Sequence, residues 1–217
     1  MKADSDIKRD VEAELRWDPD INSTDIGVAV KDAVVTLTGF VRSYTEKWQA
    51  ERDAKRVLGV VGVANDIEVR LPTSSQRPDP EIARDAVAAL KHELPYSYET
   101  MKVIVKDGRL TLEGTAEWNY QRVRAEEAVR RVSGIKGISN LILLKPSVAP
   151  SEIKTKIEEA FRRSAEVDAQ RITVEAHGSE VILRGSVRSW AERQEAERAA
   201  WRAPGVTKID NHITINP

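Results

Sequence analysis

The feature that most restricts this chain is an internal repeat. Three glycines, Gly39, Gly114 and Gly185, each end the same alternating run: Val35-Thr36-Leu37-Thr38, Leu110-Thr111-Leu112-Glu113 and Val181-Ile182-Leu183-Arg184. An alanine stands eleven positions after each glycine (Ala50, Ala125, Ala196), a second glycine twenty after (Gly59, Gly134, Gly205), and an asparagine twenty-six after (Asn65, Asn140, Asn211). An isoleucine stands thirty-two before each (Ile7, Ile82, Ile153), and no insertion is needed to keep these spacings. Self-similarity at a fixed period marks a structural unit that is built more than once. The 217 residues therefore divide into three copies, 1–71, 77–146 and 148–217, each near the lower size at which one hydrophobic core suffices. Pro72 to Pro80 reads as a linker, and Lys145 to Pro150 as a shorter one.

Each copy reads as helix, strand, strand, helix, strand. Ile7, Val11 and Leu15 recur at steps of four, as do Ile82, Ala86, Leu90 and Ile153, Ile157, Phe161, the spacing of one buried helix face. Asp4 or Ser5, Asp79 and Ser151 suit the helix starts. Period-two runs then predict a hairpin, with turns at Lys31-Asp32-Ala33, Asp107-Gly108 and His177-Gly178. Ser43-x-x-Glu46 and Ser189-x-x-Glu192 are capping boxes that open a second helix. In the second copy Asn119 suits the cap, with Arg122 in place of the acid. Gly59, Gly134 and Gly205 are placed as C-caps ending that helix. The last strand carries Val63, Asn65, Ile67 and Val69 and their counterparts. Its crossover makes it parallel to the second strand. The expected fold class is α+β: three tandem αββαβ modules, each with two helices on one face of a small three-stranded mixed sheet.

Composition excludes several chemistries. Without cysteine there is no disulfide framework, thiolate nucleophile or cysteine-ligated zinc. A formal net charge of −1 rules out a chain that is basic throughout. That total conceals unequal copies: 11 basic and 14 acidic side chains in residues 1–71, 12 and 10 in 72–146, and 11 and 11 in 147–217. An anionic surface is met best by the second copy. The three histidines fall at different repeat positions with no metal-ligand spacing, and no P-loop, G-x-S-x-G or H-E-x-x-H is present. Catalysis, cofactor binding and metal binding are not expected. Residues 1–20 do not read as a secretory signal, so a cytoplasmic location is expected, or a periplasmic one if a signal has been removed.

Leu37-Thr38-Gly39-Phe40-Val41-Arg42-Ser43, Leu183-Arg184-Gly185-Ser186-Val187-Arg188-Ser189 and Gly205-Val206-Thr207-Lys208-Ile209-Asp210-Asn211 together resemble the BON domain, named for bacterial osmotically inducible and nodulation proteins. The second copy departs from the pattern at Thr115-Ala116-Glu117-Trp118. The resemblance implies binding of phospholipid surfaces or other ligands, in osmotic-stress, secretion or transport-associated settings. Gly59-Val60-Val61-Gly62 and Gly134-Ile135-Lys136-Gly137 also match the G-x-x-G of KH nucleic-acid modules. There the loop joins two helices, whereas here a strand follows, so nucleic-acid binding is disfavoured.

Tyr44, Trp118, Tyr120 and Trp190 cluster at the start of the second helix, and Arg56, Arg131 and Arg202 recur at one position of it. Aromatic and basic side chains together suit an anionic lipid interface. A plainer reading has the aromatics stapling the helix entrance and the arginines pairing with Glu51, Glu126 and Glu197. The expected function is non-enzymatic, stress- or transport-associated binding of a phospholipid surface, anionic lipid foremost, or of another ligand, with a protein-interaction scaffold as the alternative.

Overall fold

A computed structural model describes residues 2–145, 152–164 and 171–216. Residues 146–150 of the second linker and the proposed cap Ser151 lie outside them. The first copy consists of α1 (Asp4–Trp17), β1 (Ile26–Lys31), β2 (Val34–Val41), α2 (Tyr44–Arg56), β3 (Gly62–Asn65) and β4 (Glu68–Val69). The second repeats it as α3 (Asp79–Glu93), β5 (Met101–Lys106), β6 (Arg109–Ala116), α4 (Asn119–Arg130), β7 (Gly137–Asn140) and β8 (Leu143–Leu144). The third has α5 (Ile153–Arg163), β9 (Ile172–His177), β10 (Glu180–Val187), α6 (Trp190–Trp201) and β11 (Lys208–Ile215). This is the α+β class, with the middle strand of each sheet antiparallel to the strand before it and parallel to the one after. The helices cover one sheet face in each copy. In the second, Ile82, Ala86 and Leu90 of α3 and Ala125 and Val129 of α4 close on Leu110 and Leu112. By contact the chain forms two compact units, one of residues 1–40, 46–68 and 148–217, the other of 41–45 and 69–147.

The anchor glycines are explained by a backbone crossing. Gly39, Gly114 and Gly185 have φ of +102°, +114° and +136°. A Cβ there would lie 1.9, 2.1 and 2.0 Å from the carbonyl oxygens of Asp25, Thr100 and Arg171. The chain entering the first strand passes directly over the glycine, so neither the conformation nor the space admits a side chain.

Four local details differ from the sequence reading. Asp4 and Asp79 do not cap their helices. Each carboxylate instead accepts from two N–H groups of the hairpin turn about thirty residues on: Asp32 (2.9 Å) and Ala33 (3.0 Å), and Asp107 (2.8 Å) and Gly108 (2.9 Å). That clamp lets the poorer turn work, with Asp32 and Ala33 both at positive φ (52° and 61°). The third turn sits one residue later than expected, at Gly178-Ser179 between the paired His177 and Glu180. Gly59, Gly134 and Gly205 are not C-caps, because their helices end three to four residues earlier, at Arg56, Arg130 and Trp201. They occupy the turn that follows, where their φ of +88° to +98° suits the third position of a type II turn. In the second copy the cap is Trp118, not Asn119, and Gln121 supplies the returning half of the box, accepting from the N–H groups of Trp118 (3.0 Å) and Glu117 (2.9 Å).

The repeated asparagine is a latch. Asn140 Nδ2 donates to the Arg122 carbonyl (2.9 Å) and to Glu126 (3.3 Å), while its Oδ1 accepts from the Ile142 N–H (3.3 Å). Asn65 does the same with the Lys47 carbonyl, Glu51 and Ile67, and Asn211 with Glu197 and Ile213. The side chain ties the last strand to the second helix. In the first two copies the last strand is interrupted just after it, into β3–β4 and β7–β8. Asn140→Ala leaves an N–H, a carbonyl and part of a carboxylate without their partner, at about 1–3 kcal/mol. Urea unfolding should register that as a lower midpoint, and an unchanged midpoint would show that water replaces the latch.

Candidate binding site

The aromatic residues singled out from sequence do not form one exposed surface. Tyr44 is half-buried and packs against the second copy's core. Trp190 is half-buried, with the Lys55 ammonium 5.3 Å and the Arg193 guanidinium 5.4 Å from its ring centre. Trp118 is half-buried at the helix cap, and Tyr120 is exposed. The three arginines of the repeated position are exposed but differ in their surroundings. Arg56 reaches Glu14 at 3.7 Å and Asp53 at 3.6 Å. Arg202 lines a cleft between the two helices of the third copy, and Arg131 has no carboxylate partner among the described residues. The expected pairing with Glu51, Glu126 and Glu197 is not what forms. Glu51 pairs with Lys55 (2.6 Å) and Glu126 with Arg130 (3.1 Å) one helical turn on, while Glu197 accepts from Asn211. Burial works to raise Glu51, but Lys55 and the Asn65 amide outweigh it and hold its carboxyl below the ordinary value.

The arrangement best suited to binding a surface lies elsewhere, on the helix-free sheet face of the second copy. Strand alternation sends Ile104 of β5 and Leu143 of β8, together with Leu141 just before it, to that face. They are 48%, 64% and 58% exposed. Lys102 and Lys106 flank Ile104 on β5, and Arg109 opens β6, all exposed on the same face. Glu113 is the carboxylate opposite Lys102. The register also allows comparison between copies. Where the second has Leu141 and Leu143, the first has Asp66 and Glu68 and the third has His212 and Thr214. This patch was legible in the period-two pattern, but only when the outward positions of the three last strands are set side by side.

Among the described residues no group of three or more acidic, histidine or cysteine side chains could hold a metal ion. His212 Nε2 lies 2.8 Å from Asp210 on an exposed strand. No helix among them is long and apolar enough to cross a membrane.

The family model described as "BON domain" matches this chain three times, at residues 3–70, 78–146 and 150–217. The chain belongs to the BON-domain family. Each match covers one αββαβ copy, so the anchor-glycine crossing and the asparagine latch are features of three BON domains in series. Osmotically-inducible protein Y of Escherichia coli (strain K12) is 33% identical over 141 residues, which is 63% of this chain and 70% of that protein. Among solved structures, CdsD, a structural protein of the type III secretion system of Chlamydia trachomatis, aligns at 12% identity over 98% of this chain and 93% of its own, with a TM-score of 0.28. The PrgH periplasmic domain aligns at 9% identity over 90% of this chain and 97% of its own, with a TM-score of 0.21. Those two scores are too low to support a shared arrangement.

Proposed function

We propose that this chain is a non-enzymatic, osmotic-stress-associated protein that docks on anionic phospholipid surfaces through the open sheet face of its second BON domain. The osmotic-stress association rests on its likeness to osmotically-inducible protein Y. The observation that carries the docking is the exposed Ile104, Leu141 and Leu143 bordered by Lys102, Lys106 and Arg109. Apolar side chains that enter the headgroup region gain about 25 cal/mol per Å². Each cation held near an anionic leaflet adds about 1 kcal/mol, and that part is screened by salt. The same face in the first domain carries Asp66 and Glu68 and would be repelled.

Co-sedimentation of the full chain with phosphatidylglycerol-containing vesicles and with pure phosphatidylcholine vesicles tests this. Binding should occur only to the anionic vesicles and weaken as salt rises. The double variant Leu141→Asp, Leu143→Asp should reduce it at least tenfold without changing the circular dichroism. Equal binding to both vesicle types, or no loss in the variant, overturns the reading. A protein partner on this face would instead leave both vesicle types unbound.

A further inference from the structure

In the third copy a cleft of about 490 Å³ opens between α5 and α6, within the usual size range of small-molecule sites. What belongs in it is shown by the first copy. There the repeated arginine, Arg56, is flanked by two acidic side chains, Glu14 from α1 at 3.7 Å and Asp53 from α2 at 3.6 Å. In register with those acids the third copy has Ala160 and Ala199, while the arginine is retained as Arg202. All three residues line the cleft. Two positions that bordered the acids have also become cationic: Lys156 stands where the first copy has Asp10, and Arg163 where it has Trp17. Among the described residues Lys156 and Arg202 have no carboxylate partner, and Arg163 meets Glu159 only at 3.8 Å. The acid that lines the cleft, Glu195, is held by Arg198 at 2.7 Å. In the second copy the register positions of the two acids are likewise alanines, Ala89 and Ala128, but there Arg124 and Glu93 join the two helices with a 2.5 Å ion pair.

From this we infer that the α5–α6 cleft binds a small aliphatic dicarboxylate, whose two carboxylates take the places of the side chains that Glu14 and Asp53 supply in the first copy. Arg202 receives the anion as Arg56 receives its internal partners, Lys156 and Arg163 balance the second charge, and the alanine methyls accommodate the short aliphatic body. This site is separate from the sheet face proposed for lipid, and neither reading depends on the other.

Glutarate titrated into the full chain, followed by calorimetry or by amide NMR shifts, tests it. Saturable binding is expected, with acetate at least tenfold weaker. Arg202→Gln, at an exposed position, should weaken glutarate at least tenfold, and Ala199→Asp should do the same by restoring an internal carboxylate. Should Ala199→Asp fail to fold, Arg202→Gln alone decides. No saturable binding up to about 10 mM glutarate, acetate binding as tightly, or undiminished binding in Arg202→Gln overturns the inference.

Discussion

Gly114→Ala is expected to unfold the second BON domain. The methyl would stand 2.1 Å from the Thr100 carbonyl oxygen and 3.0 Å from the Met101 Cα, both backbone atoms that no rotamer change can move away. The residue would also have to keep φ near +114°, a strain of about 1–3 kcal/mol for a residue with a Cβ. Relieving the overlap means separating β5 from β6 at the Met101–Gly114 pair. That would also disturb Ala116 in the core beyond it. The combined cost is on the order of 3–5 kcal/mol, comparable with the whole stability of a domain this small. Gly39→Ala should act likewise on the first domain, through the Asp25 carbonyl at 1.9 Å. Hydrogen exchange resolved by domain would show protection lost in the altered domain. Retained protection there, with a Tm fall of less than about 2 °C, would mean that the crossing can shift.

Asp53→Asn is expected to stabilise the protein at neutral pH and above, and to leave it nearly unchanged below the ordinary aspartate value. Asp53 is 1% exposed, and its Oδ2 has no hydrogen-bond partner while both its oxygens are unprotonated. The Gln49 amide donates to Asp53 Oδ1 at 3.3 Å and to Asp18 Oδ2 at 2.6 Å, bringing two carboxyl groups against each other. Burial, then the neighbouring Asp18, pushes Asp53 up to about 7, with Arg52 and Arg56 opposing. Asp18, at the C-terminal end of α1, moves the other way. Burial works to raise it, but the Asp20 N–H, Gln49 and Asp53 hold it below its ordinary value. Glu14 faces the same group through Arg56. One proton held by Asp53 and donated to Asp18 would resolve the conflict.

The folded state thus binds that proton more tightly than the unfolded chain does. Stability is fully present below the ordinary aspartate value and is lost as pH rises towards about 7. The loss is on the order of 2–4 kcal/mol, because each tenfold gain in proton affinity is worth about 1.4 kcal/mol and the lowered Asp18 offsets part of it. Asparagine donates to Asp18 without needing the proton. Melting curves of the two proteins should converge below about pH 4, separate as pH rises towards about 7 and stay apart above it, with the variant higher. Parallel curves across that range would show that Asp53 does not hold the proton. Ala128 and Ala199 occupy the register position in the other domains, so this pH response belongs to the first domain.

The residues missed by sequence reasoning have a common physical character. Propensity favours Asn119 over Trp118 as the cap, yet Gln121, in register with Glu46 and Glu192, accepts from the Trp118 and Glu117 N–H groups while its amide donates at 2.7 Å to Ser97, a partner outside the helix. Asp79 has the chemistry of an N-cap, but α3 docks with that carboxylate 2.8 and 2.9 Å from two turn N–H groups. The aromatic cluster followed sound interfacial chemistry, but half-burial removed Tyr44, Trp118 and Trp190 from a common surface, since local sequence does not say what packs over a helix start.

The number of copies, the order of elements, the buried face of each helix and the parallel last strand were all legible in the order of residues. Those follow from local periodicity and from steric rules that act within a few residues. What the repeated spacing serves emerged only from packing: a carbonyl crossing over each anchor glycine, an asparagine joining strand to helix, and two aspartates meeting through one glutamine. The same holds for the apolar patch on one sheet and the cationic cleft between two helices. Each of these joins groups that the chain separates by many residues, and their distances are fixed only when the helices settle on the sheet.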